Sequence, residues 1–231
     1  MMTGAVLKAE RHARGWSQAQ AAARLGLTQP HLSMLESGRR RVTRGLAKRV
    51  FEAYNMSPAS VAPTGVPTYA TNPSEALARD LAALGYPGFA YLRSDSQWEP
   101  KNPAQVLLAA LMQDDLDPRV VEALPWLVAR YAPVDDDWLV REAKLRDLQN
   151  RLGFVVALAR RLCERSNATE KADVLRRLEA QLDRSRLARE DTLCRRVGAS
   201  LRRRLVEHRS EDARHWNLLT DWTVDALRYA A

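Results

Sequence analysis

A single glycine, Gly26, set between two short runs of helix-forming residues, constrains this chain more than any other feature. It lies in Ser17 to Arg41, SQAQAAARLGLTQPHLSMLESGRRR. Ser17 is a favoured N-cap, and Gln20, three residues on, can reach back to the Ser17 N–H as a capping box. Gly26 can take the positive φ that ends a helix, and Leu27 then offers an apolar contact back to it. Thr28 is placed to cap the next helix, and Pro30 falls in its first turn, where a missing N–H costs nothing. Leu25, Leu27, Leu32 and Leu35 can meet between the helices, with Ala22 and Ala23 small enough for close approach. The pattern predicts two short helices crossing at a tight turn, with Gln29, Pro30, His31, Ser33 and Met34 on the outer side of the second.

The string SQxQxAxxLGLTQxxLSxLExGRR, within residues 3–60, resembles the lambda-repressor and Cro type of helix-turn-helix, also called XRE-like. The resemblance implies a five-helix repressor-like domain whose second motif helix enters the major groove of DNA. It makes Gln29 the base-reading glutamine, a residue type that can bond both N6 and N7 of adenine, with His31, Ser33 and Met34 on the same outward arc. Gln18 matches a phosphate contact at a helix N-terminus, flanked by Ser17 and Thr28. Ser37 and Arg39 match the backbone-touching loop, which Arg40, Arg41 and Arg44 extend. Two positions depart from the pattern: Pro30 stands where a second polar reader is common, and Ala21 replaces a customary leucine.

Charge agrees with that assignment. Residues 1–60 hold ten Lys and Arg against three Glu, a net of +7 out of the chain's +8. The other 171 residues hold 26 basic and 25 acidic side chains. A phosphate-facing module concentrates its charge in this way. The arginines around Thr43 would oppose the dipole of the helix it caps, so phosphate explains their placement better than stability does.

The chain reads as all-α: a helix-turn-helix domain at 1–60, a Pro-rich linker at 61–73 and a helical bundle at 74–231. Thr3 can cap a first helix with Val6, Leu7 and Ala13 inward, and Thr43 a fourth with Leu46, Val50, Ala53 and Tyr54 inward. Beyond the linker, Ser74 can cap a helix to Leu84. FAYLRSDSQWEPKN reads as an ordered loop, the one stretch that could pair as strands. Helices then start at Pro103 and at Asp117-Pro118. The longest helical pattern spans about Trp138 to Arg165, where Trp138, Leu145, Leu148, Leu152, Val155 and Leu162 form a heptad-like seam suited to a dimer or partner surface. A charged helical region follows from Thr169, and a last helix is expected from about Ser210 to Tyr229.

Other chemistry is poorly supported. Asp135, Asp136 and Asp137 open a helix and read as capping charges rather than a metal site. His208 and His215 could share a helix face, but Arg209 and Arg214 disfavour a cation there. No phosphate loop, HExxH, GxSxG or paired CxxC occurs, so no enzyme, cofactor or metal is expected. Cys163 and Cys194, far apart, are expected as free thiols. Without a signal segment or an apolar run long enough to span a membrane, a cytoplasmic, membrane-free protein is expected.

One such domain reads only a few base pairs, and relatives compensate by binding pseudo-palindromic operators as dimers. The expectation is a homodimeric repressor of its own promoter. LGYPGFAYL and PKNPAQVLLAAL resemble regulators of the antitoxin kind, which implies a protein partner such as a cognate toxin, of the nucleotidyltransferase-like sort. The alternative is a protein-interaction scaffold whose helix-turn-helix no longer reads DNA. Arg202 to Arg204 stand apart from the acid-interleaved arginines around them.

Overall fold

A computed structural model describes residues 2–69, 71–93 and 101–229. The chain divides into two compact units. The first runs to Thr64 and includes Asn102, whose amide donates to the Val61 carbonyl at 2.8 Å; the second holds Gly65–Arg93 and the chain from Pro103 on. The proline-rich stretch is shared between them. Val61 packs on the first core, whereas Val66 and Tyr69 pack on the second, where Tyr69 donates to Asp80.

In the first unit, α1 (Gly4–Ala13) is capped by Thr3, α2 (Gln18–Leu25) by the Ser17–Gln20 capping box, and α4 (Arg44–Ala53) by Thr43. Between them lies α3 (Gln29–Glu36), and a 3-10 turn at Pro58–Ser60 supplies the fifth helical piece. Leu7, Ala21, Leu25, Leu32, Leu35, Leu46, Val50 and Tyr54 fill the core. Ala21, the residue that departs from the family pattern, is fully buried, and so is its neighbour Ala22, but Ala23 and Ala13 face solvent. Helical spacing brings an ionic pair inward instead: Arg11, four residues after Leu7, and Glu36, four after Leu32, are both buried.

The second unit is built around α9 (Gln149–Arg165), packed against α6 (Pro103–Leu111), α7 (Pro118–Tyr131), α8 (Asp136–Lys144), α10 (Thr169–Asp183) and α12 (Glu211–His215). Gly153, in its second turn, lets the buried Trp216 ring lie on the helix; a Cβ there would come within 2.3 Å of the ring. Arg151 of the same helix is buried and binds Asp191 (2.8 Å) and the Leu111 (2.8 Å) and Gln113 (3.0 Å) carbonyls, satisfying acceptors that the end of α6 leaves open. Cys163 and Cys194 are buried free thiols, and burial pushes Cys194 up to about 12. Among the described residues no helix is long and apolar enough to cross a membrane.

Several expectations need correction. The helix α5 (Pro73–Ala83) is capped by Asn72, while Ser74 instead accepts from the Asp117 N–H at 3.0 Å. Pro87–Leu92 form a 3-10 helix, and the remainder of the expected loop after Arg93, as far as Pro100, lies outside the described residues. The long helix is broken: Asp147 takes φ 57° and the Leu148 N–H returns to the Ala143 carbonyl, a helix-ending turn between α8 and α9. The seam is therefore not a surface. Leu148, Leu152, Val155 and Leu162 are buried within the unit and Trp138 is half-buried, which leaves only Leu145 out, 73% exposed. Nor is there a long last helix. It stops at His215, Asn217 turns with φ 53°, and Leu218–Leu219 pair in parallel with Asp191–Thr192 as a two-residue bridge.

The acidic triplet starts α8, with Asp136 pushed up to about 6 by burial and by the neighbouring Asp137 and Asp135 charges. A carboxyl raised above its unfolded value of about 3.9 contributes stability that is complete below that pH and is lost as pH rises through the folded value. Asp136→Asn is thus expected to stabilise the protein by about 2 kcal/mol at pH 7, after about 0.3–1 kcal/mol of lost helix-dipole attraction, and to do so less at pH 4. Thermal melts at the two pH values test this; an equal shift at both would refute the assignment of strain to the Asp136 charge.

Candidate nucleic-acid interface

Local chemistry fixes the two motif helices. Gly26 has φ 63°, and the Leu27 N–H returns to the Ala22 carbonyl at 2.9 Å, closing α2 before α3 begins. Thr28 takes the N-cap conformation of α3, yet its side chain makes no cap hydrogen bond. Thr28 is exposed at the N-terminus of that helix, where a hydroxyl and unpaired N–H groups suit a phosphate oxygen.

On α3, Gln29, Pro30 and Met34 are exposed and His31 and Ser33 half-buried, so the expected reading arc is solvent-facing. Gln29 is not loose. Its Nε2 donates to Gln18 Oε1 at 2.8 Å, and Gln18 Nε2 donates to Glu36 Oε2 at 2.9 Å. Glu36 in turn takes both arms of Arg11, Nε at 2.7 Å and Nη2 at 3.0 Å. Burial opposes the Glu36 charge, but the hydrogen bonds from Arg11 and Gln18 outweigh it and hold its carboxyl below the usual range. A buried bidentate pair thus anchors a glutamine that orients the next one. Gln29 keeps one amide N–H and its carbonyl oxygen for an adenine edge.

This chain of bonds adds a role: the Gln18 amide positions Gln29, and a second N–H on that amide, with the backbone N–H, is left over for the expected phosphate contact. Ser17 Oγ accepts from the Gln20 N–H, and Ser37 Oγ donates to the Met34 carbonyl at 3.2 Å. Arg39, Arg40 and Arg41 follow in an exposed loop and make no ion pair among the described residues. Arg44 stands exposed at the start of α4. Arg11 and Glu36 had one sequence signal, each lying four residues after a core leucine.

A short helix pair closed by a positive-φ glycine, with polar side chains on the outer face of its second helix, defines a helix-turn-helix. Residues 4–63 match the family described as "Helix-turn-helix domain". Neither a curated protein nor a solved structure matches the chain. The first unit holds a helix-turn-helix domain, which points to a DNA-binding regulator with DNA as a partner.

Proposed function

We propose that the chain is a sequence-specific transcriptional regulator, acting by binding rather than catalysis, and that it represses its own promoter as a homodimer on a pseudo-palindromic operator. The observation that carries this reading is the pre-positioned Gln29, held through Gln18 by the buried Arg11–Glu36 pair, beside a loop of exposed arginines. A fixed rotamer loses less entropy on binding a base edge. The second unit, which shows the exposed apolar side chains Tyr91, Met112 and Leu145, is the seat of a protein partner such as a cognate toxin.

The test is a gel-shift titration of the full-length protein on its own upstream DNA against a shuffled competitor at fixed salt. Selective binding is expected, and equal binding to both sequences would refute the repressor reading in favour of a scaffold. On the preferred site Gln29→Ala is expected to cost about 1–3 kcal/mol, with little change on shuffled DNA. Operator preference unaffected by that substitution would mean that α3 is not the reading helix.

A further inference from the structure

The second unit carries a concentrated basic surface that the helix-turn-helix does not account for. Between Arg195 and Arg209 there are six arginines and one glutamate, whereas the rest of residues 61–231 holds twenty basic and twenty-four acidic side chains. The stretch comprises a loop and α11 (Ala199–His208), which buries Leu205 and half-buries Leu201 against the unit. Two of the arginines, Arg202 and Arg209, are taken up by Glu190. The other four, Arg195, Arg196, Arg203 and Arg204, are exposed and make no ion pair among the described residues. Ser200 lies on the same turn of α11 as Arg203 and Arg204, three and four residues away.

We propose that α11 and the loop before it form a second DNA contact, one that grips the phosphates of duplex DNA without reading sequence. The proposal rests on the reading of the chain as a DNA-binding protein. Guanidinium forks match phosphate oxygens two at a time, and all six basic side chains here are arginine. The stretch has no aromatic residue before Trp216, which is buried, so it offers no platform on which unpaired bases could stack. That favours the backbone of a duplex over single strands. Because the remainder of residues 61–231 is net acidic, any attraction of that region to a polyanion is concentrated at this surface.

The experiment uses the full-length chain and a mixed-sequence duplex, followed by fluorescence anisotropy between 50 and 200 mM salt. Each lost phosphate contact lowers the log–log salt slope by about 0.9, so Arg195→Gln/Arg196→Gln/Arg203→Gln/Arg204→Gln is expected to flatten it by up to about 3.6 per chain. Across that salt range this removes up to about 150-fold of the weakening. The corresponding Lys variant should keep most of the slope, and the pair Arg203→Gln/Arg204→Gln alone should remove about half the effect if the fourfold variant is poorly folded. A Gln variant that is folded by circular dichroism and has the parental slope would overturn the proposal. So would retained DNA binding together with lost binding to poly-L-glutamate, which would make the surface a docking site for acidic protein. Parallel measurement of Arg39→Gln/Arg40→Gln/Arg41→Gln separates the two readings: if that slope is also parental, the helix-turn-helix assignment fails, whereas if it alone flattens, only the second contact does.

Discussion

Replacing Arg39, Arg40 and Arg41 by Gln is expected to remove about 40-fold of the affinity lost between 50 and 200 mM salt if one chain binds, and about 10³-fold if two chains bind together. Each phosphate contact releases counterions and steepens the fourfold salt change by about 3.5-fold, so three contacts give the first figure and six the second. The loop is suited to this role because it is exposed and its guanidinium groups meet no carboxylate among the described residues. The substitution leaves the core untouched, since none of the three side chains packs in the first unit's interior. Salt titrations of parent and variant on the same duplex therefore read the number of chains on the DNA as well as the contact itself. A parental slope in the variant would remove this loop from the interface.

Signals that depend on a few neighbouring residues are legible in the sequence. The Ser17–Gln20 box, the Gly26 turn and the Thr43 cap each need only a short window, and each stands as expected. The missed breaks have a common cause. Asn72, Asp147 and Asn217 take positive φ without a glycine or proline to mark the spot, and short Asx side chains are the residues other than glycine that tolerate it best. Around Asp147 the apolar spacing runs on from α8 into α9, since both helices present a stripe to one core, so that two helices share the pattern of one seam. Tertiary partners were harder still. The place of Arg151 beneath Asp191 and the end of α6 depends on segments some forty residues away, and no local pattern announces it. At the candidate interface the side-chain types are legible but their linkage is not: the bond from Gln18 to Glu36 joins two helices, and Glu36 is buried where a local pattern would leave it in solvent.

Breaking the buried ion pair by Arg11→Met is expected to destabilise the first unit by about 3–5 kcal/mol, because Glu36 would be left charged and without its main partner. The side chains of Arg11 and Glu36 are 7% and 2% exposed, so water cannot replace the lost bonds. Arg11 also donates to the Trp16 carbonyl at 2.8 Å, adding a second unmet acceptor. Removing both charges with Arg11→Met/Glu36→Leu should recover most of that loss, since a well-packed apolar pair is often as stable as a buried ionic one. Acid should act like the single substitution: with the Glu36 carboxyl held low by Arg11 and Gln18, its contribution is present above the unfolded value of about 4.3 and disappears as pH falls through the lower folded one. Function separates the two variants. In the double variant Gln18 has lost its acceptor, Gln29 is no longer held through it, and discrimination between operator and shuffled DNA should fall by up to the Gln29→Ala effect although the fold is retained. A double variant as stable as the parent and equally selective would show that the ionic pair does not position the reading glutamine, and a stable Arg11→Met would show that Glu36 is not held as a buried charge.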